Sequence, residues 1–134
     1  ALAPCKYSNE HKIEFNKNTI ITGDSAPDWK GDPNNSNPEQ TLAASLSSCH
    51  MMTFLALAAK MKWPVISYKD IAIAKLGKNS KGKMSVTKIE LNPKVEFFDG
   101  FSVDSKEMKK VQERAHRYCF IANSLSDEVK VIIS

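Results

Sequence analysis

Arginine is almost missing from this chain. Of its 19 basic residues only Arg114 and Arg117 are arginine, and none precedes residue 114. The net charge of +4 is carried by lysines dispersed along 134 residues, which is too thin a signal to mark a nucleic-acid surface. The densest basic stretch, GKNSKGK at residues 77–83, falls between two strand-like runs and reads as a solvated hairpin turn. Cysteine is scarce too. Cys5, Cys49 and Cys119 include no CxxC pair, which excludes a secreted disulfide scaffold and leaves thiols of a reducing compartment. No repeat, low-complexity tract or signal-peptide pattern is visible. The expectation is one cytoplasmic domain over residues 1–134, with residues 1–5 a loose arm and Cys5 a bystander. At 42% hydrophobic and 25% charged residues, the composition suffices for a packed core.

Formal charge is also absent from Thr41 to Ala59. Such a run is long enough to raise a membrane span. Its Ser45, Ser47, Ser48, Cys49, His50 and Thr53 argue instead for a buried core helix in a protein with no membrane role. Asn37-Pro38-Glu39-Gln40 supplies a cap residue, Pro at the first helical position and Gln at the third. The helix should run to about Lys62 and stop before Trp63-Pro64. Its apolar residues fall on nearly every side, which predicts a central helix packed on several faces.

Around it, residues 6–15 and 18–23 read as strands joined at Asn16-Lys17-Asn18, and 24–37 as a long loop rich in Asp, Asn, Pro and Gly. Residues 65–76 and 83–98 read as two long strands, 128–133 as a last one. A second helix opens at Asp104-Ser105-Lys106-Glu107 and runs to about Tyr118. The order is ββα-ββ-α-β, an α+β domain.

The thiols carry the chemistry. Cys49 lies ~18 Å beyond the cap at Asn37, out of reach of its own helix dipole. A mid-helix apolar setting should therefore raise its pKa. Cys49 shares a helical stripe with Leu42, Leu46, Met52 and Ala56 and is expected to face the core. Cys119 ends the stripe Met108, Val111, Ala115, with Arg114 and Arg117 pointing away. Two inward thiols on the two helices can meet, with Cys49 fixed and attacking and Cys119, at a helix end, resolving. A metal reading is open as well, because Cys49-His50 and His116-x-x-Cys119 offer four ligands, though the adjacent Cys49 and His50 converge poorly. His50 alone reads as a hydrogen-bonded core or interface residue with no catalytic role, and His11 carries no signal.

These residues carry a family resemblance. NPEQTLAASLSSCHMMTFLALAAK resembles the central-helix motif of the OsmC/Ohr family, the osmotically induced and organic hydroperoxide resistance proteins, with Asn37, Pro38, Glu39 and Cys49 at the family spacing. RAHRYCFIANSL resembles the second motif, around Cys119, and the Ser-Cys-His wording is similar to one OsmC-like branch. The resemblance spans residues 6–134. It implies an intertwined homodimer with sheets wrapped around central helices and active sites at the interface. It implies a peroxidase in which Cys49 attacks an organic hydroperoxide, becomes a sulfenic acid and condenses with Cys119. An external dithiol, dihydrolipoyl groups in one branch, would reduce the disulfide, with no metal or bound cofactor.

The family activates its thiolate with an Arg oriented by the motif Glu. Here Glu39 is present but the Arg is not; Lys17 occupies the corresponding turn, and Lys30 is a second candidate. Lysine is a point charge and cannot make arginine's bidentate contacts. Two readings follow: a hydroperoxide reductase using Cys49, Cys119, Glu39 and Lys17, or a non-enzymatic redox-sensing or small-molecule-binding dimer that kept the thiols and lost the Arg.

Overall fold

The computed structural model describes residues 6–134, so the expected arm at residues 1–5, with Cys5, lies outside the described residues. The chain divides into two compact units, one ending at Thr41 and the other running from Leu42 to Ser134.

In the first unit, strands β1 (His11–Asn16) and β2 (Thr19–Gly23) form an antiparallel hairpin. The turn closes on the Asn16 side chain, whose Oδ1 accepts the Asn18 N–H at 2.9 Å, the Asx geometry that favours Asn at this position. The first strand is shorter than the residues 6–15 read from sequence, because the SNE stretch before His11 is polar and unpatterned. The following segment is a loop, as expected, but a tethered one. A single 3-10 turn forms at Pro27–Trp29. The Asp24 carboxylate accepts the N–H groups of Ser25 and Asp32 at 2.8 and 3.1 Å and the Asn35 amide at 3.3 Å. Those bonds, that from Asp32 foremost, hold its pKa below the usual 3.8. The backbone passes so close to itself that a Cβ at Gly31 would sit 1.6 Å from the Ser25 carbonyl oxygen. The loop ends by returning to β2, with a bridge between Gly23 and Ser36.

Helix α1 (Pro38–Lys60) opens where the sequence placed it. The Asn37 side chain accepts the Gln40 N–H at 2.9 Å. The helix ends at Lys60, two residues short of the expected Lys62, which is a non-glycine residue in the left-handed region (φ 59°) that turns the chain before Trp63-Pro64.

In the second unit, each long strand read from the sequence is two shorter ones. Residues 65–76 split into β3 (Val65–Lys69) and β4 (Ile73–Lys78) at Asp70. Residues 83–98 split into β5 (Met84–Leu91) and β6 (Lys94–Phe97) at Asn92-Pro93, where proline has no N–H to give a ladder. Asp70 fastens both breaks, since its carboxylate accepts the Asn92 N–H and the Ser47 hydroxyl. β3 pairs antiparallel with β6, and β4-β5-β7 form a second sheet in that order, with β7 (Lys130–Ile133) parallel to β5. The basic stretch at 77–83 is an exposed hairpin turn, with Asn79 Oδ1 capping the N–H groups of Lys81 and Lys83 and Gly82 at φ +72°. Helix α2 (Ser105–Tyr118) is capped by Asp104, which accepts the Glu107 N–H at 2.7 Å. A further single turn, α3 (Phe120–Asn123), follows at once. The fold is α+β, with α3 and two strand breaks added to the order read from sequence.

Two apolar clusters fill this unit. One gathers Ala43, Leu46, Ile89, Leu91 and Cys119; the other Phe54, Ala58, Val111 and Ala115. α1 contributes to both, through a buried stripe of Ala43, Leu46, His50, Phe54 and Ala58. That corrects the expected stripe. Met52 (59% exposed) and Ala56 face outward, and Cys49 lies at the shoulder of the buried face. The helix turns 3.6 residues per cycle, so one apolar series fits the sheets and the neighbouring series does not. Among the described residues α1 is the one helix long and apolar enough to cross a membrane, and its stripe is the spine of both clusters.

Candidate active site

Cys49 and Cys119 meet, although 70 positions separate them in the chain. Cys49 packs against the cluster that contains Cys119, and its sulfur stands within hydrogen-bonding reach of the Cys119 thiol. Both are free thiols. Cys119 is fully buried and does two local jobs. It closes α2, its N–H bonding to the His116 carbonyl at 3.3 Å, and it caps α3, its Sγ accepting the Ala122 N–H at 3.4 Å.

The electrostatics of the two sulfurs differ. Burial pushes the Cys49 thiol up. The Ile121 N–H, the Cys119 thiol, the Phe120 N–H and the Thr53 hydroxyl all stabilise the thiolate, and together they hold the group below its ordinary value. For Cys119 burial dominates and raises the pKa; the Ala122 N–H opposes it, but the neighbouring Cys49 adds to the rise. The pair therefore ionises at Cys49 first, with Cys119 as the proton-bearing neighbour. This overturns the expectation that a mid-helix Cys49 has a raised pKa. Its own dipole does not reach it, but the N–H groups at the start of α3 do. Thr53, one turn after Cys49 and bonded to the Cys49 carbonyl at 2.9 Å, is legible from its spacing. The Phe120 and Ile121 N–H groups are not, because backbone donors leave no mark in a sequence.

His50 is a buried, hydrogen-bonded core residue, as its setting suggested. It is 1% exposed, and its Nε2 lies 2.5 Å from Oε1 of Gln112 on α2, itself 6% exposed. Burial lowers its pKa, the Gln112 contact raises it, His116 lowers it and Asp70 raises it, for a net fall that leaves the ring neutral. Nδ1 of His50 and Nδ1 of His116 are buried without a partner. Among the described residues no group of three His, Cys, Asp or Glu side chains is placed to hold a metal ion. A cavity of about 610 Å³ lies along α2 and β7, bordered by Met108, Gln112, His116, Val131 and Ile133; neither thiol lines it.

The remaining predicted site residues lie in the first unit. Lys17 is exposed at the tip of the hairpin, and Lys30 is exposed in the left-handed region at the end of the 3-10 turn. Glu39 sits in the first turn of α1 with Oε2 buried and unpartnered. Among the described residues the ion pair formed is Lys75–Glu90, so Glu39 pairs with neither lysine within the chain.

Two free thiols packed together, one on the long helix α1 and one at the α2–α3 junction, within an α+β fold of this order, define the class, an α+β protein with a paired-thiol site. The chain belongs to the OsmC-like protein family, whose model matches residues 31–134. It is similar to an OsmC-like protein of unknown function from Vibrio cholerae, with 42% identity and a TM-score of 0.85 over 96% of this chain and 86% of that one. The fold is shared with organic hydroperoxide resistance proteins of Elizabethkingia anophelis (16% identity, TM-score 0.74, 98% and 96% of the chains) and Bacillus subtilis (17%, 0.64, 96% and 97%). No curated protein matches the chain.

Proposed function

We propose that this protein reduces organic hydroperoxides with its two thiols. The observation that carries the reading is the packing of two free thiols: Cys49 lies against the buried cluster that contains Cys119, with donors around Cys49 favouring its thiolate and burial disfavouring that of Cys119. The Cys49 thiolate attacks the terminal oxygen of R′OOH, the O–O bond breaks, and R′O⁻ leaves as the alcohol after taking a proton. Cys49 is now a sulfenic acid. Cys119 attacks its sulfur, water leaves, and a Cys49–Cys119 disulfide forms. An external dithiol returns both cysteines to thiols and becomes the cyclic disulfide. No metal or bound cofactor enters these steps. Glu39 as the orienting carboxylate and Lys17 as the cation rest on the family resemblance.

A homodimer is part of the proposal. α1 leaves Met52 and Ala56 uncovered, and Ile71 and Phe98 are 72% and 65% exposed. Apolar surface of that extent favours a second copy of the chain. The alternative, a redox-sensing or small-molecule-binding dimer, is favoured by the lack of any Arg before Arg114.

The test mixes fully reduced protein with one equivalent of cumene hydroperoxide, using Cys49→Ser as control. Peroxide loss with a mapped Cys49–Cys119 bond, both absent in the variant, is expected. Persistent peroxide with both thiols free would sink the enzyme and leave the sensor or binding dimer.

A further inference from the structure

We propose that the buried His50–Gln112 hydrogen bond is a positioning device, holding α1 and α2 in the one register that keeps the Cys49 and Cys119 sulfurs within bonding reach. It rests on the proposed reading only in taking these two thiols as the reacting pair.

The placement of the bond is the first argument. His50 directly follows Cys49 on α1. Gln112 lies on the buried face of α2, seven residues before Cys119, the buried residue that caps the helix. His50 is thus linked directly to one thiol, and Gln112 through the last turns of α2 to the other, which caps that helix. The bond joins positions 62 apart in sequence and is buried.

The second argument is what surrounds it. The helices meet through apolar side chains, Phe54 and Ala58 on α1 with Val111 and Ala115 on α2. Apolar contact is non-directional, so a slide of an ångström along the helix axis changes little buried area. A hydrogen bond weakens steeply outside its distance and angle. Disulfide closure needs the sulfurs brought to ~2.05 Å in a narrow dihedral range, and a misplacement of ~1 Å can cost about 100-fold in rate.

The third argument is energetic. Replacing both partners of a buried hydrogen bond by apolar groups of similar shape is near neutral for stability, whereas leaving one unpaired costs ~1–3 kcal/mol. Stability alone therefore does not call for an imidazole and an amide here. With Gln112 Oε1 accepting, Nε2 carries the ring proton and Nδ1 is a bare lone pair with no partner. The ring makes one bond, across to α2. The groups acting on it are Gln112 and His116 from α2 and Asp70 from the β3–β4 connection.

The experiment equilibrates the protein with reduced and oxidised glutathione and measures the effective concentration of the Cys49–Cys119 pair. The variants are His50→Leu, Gln112→Leu, the double Leu variant, and Gln112→Glu, which keeps the acceptor. Each single Leu variant should lose about 10–100-fold in effective concentration. The double variant should lose no more than the worse single one, as expected of one shared interaction. Gln112→Glu should stay within about threefold of the parent, since its carboxylate still accepts. The double Leu variant should keep the parental urea midpoint while losing effective concentration, which a merely structural defect would not allow. An unchanged effective concentration in the Leu variants overturns the proposal, as does a parent pair that forms no disulfide at any glutathione ratio. Should a single Leu variant fail to fold, the double Leu and Gln112→Glu variants decide it. A parent that oxidises with glutathione but leaves hydroperoxide untouched defeats the peroxidase reading alone, and the glutathione comparison still decides the positioning role.

Discussion

The two ends of α1 within the second unit make opposite environments from the same helix. Around Leu46 and Cys49 the neighbours are aliphatic, Ile89, Leu91 and Val131, with backbone N–H groups of α3 turned toward the Cys49 sulfur. Around Phe54 the neighbours are aromatic. Its ring sits 6.5 Å from Trp63 and 5.6 Å from Tyr68, and Trp63 meets Phe97 at 5.9 Å. The aromatic end has area and interlocking shape and no chemistry. The phenol of Tyr68 is pushed well above its usual value, by burial first and the Asp70 charge second, and stays protonated. The aliphatic end is packed by smaller groups and keeps polar donors beside a thiol. His50 stands at the border. Stability and reactivity are thus concentrated at different turns of one helix.

Breaking the aromatic end should give the largest effect on stability. Phe54→Ala removes a fully buried ring from its aromatic neighbours, and a loss of about 3–5 kcal/mol is expected in urea denaturation. Where the variant remains folded, alkylation of Cys49 should keep the parental pH dependence, because the thiolate's donors lie at the other end. A shift in that profile would show that the two ends are coupled.

The border residue gives an intermediate effect, readable against pH. The folded pKa of His50 lies below its unfolded value of 6.5, so the unfolded chain takes up the proton first as pH falls. The contribution to stability is complete above about pH 6.5 and is lost as pH drops toward the folded value, with a slope of at most ~1.4 kcal/mol per pH unit. His50→Gln should flatten that limb. Asp24, whose carboxylate is depressed from 3.8, adds its own loss only below that window. Equal slopes for parent and variant between about pH 6.5 and 5 would remove His50 from the account.

The smallest expected effect sharpens the aliphatic end. Thr53→Val removes one of four donors to the Cys49 thiolate, the last in order of strength. The thiolate absorbance near 240 nm should titrate at a higher pH, with Thr53→Ser restoring it. No movement would assign the hydroxyl wholly to the Cys49 carbonyl it bonds at 2.9 Å.

Much of the fold is legible in the amino-acid sequence. The caps at Asn37 and Asp104, the turn at Lys17 and the stop before Pro64 can be read there because they depend on neighbours within four residues. Pro93 is a visible signal for the break between β5 and β6. The break at Asp70 is not, since its cause is the side chain's bonds to Asn92 and Ser47, 22 and 23 positions away. The thiols stand out by motif. The direction of the Cys49 shift escapes the sequence because its donors come from a turn 71 and 72 positions downstream. The buried stripe of α1 shares Leu46 with the series expected and otherwise departs from it by one or two positions, because a helix apolar on all sides does not declare which series the sheets will cover.

Cys119 occupies the point where one helix stops and another starts, its N–H closing α2 and its sulfur receiving the first turn of α3. The atom proposed to react is therefore also a piece of architecture. A lineage abandoning the redox chemistry could not simply discard this side chain; it would be expected to drift toward serine, asparagine or aspartate, which also begin helices well. Within such a family, alanine at this site would signal a rebuilt junction, whereas serine would signal an enzyme fallen silent with its frame intact.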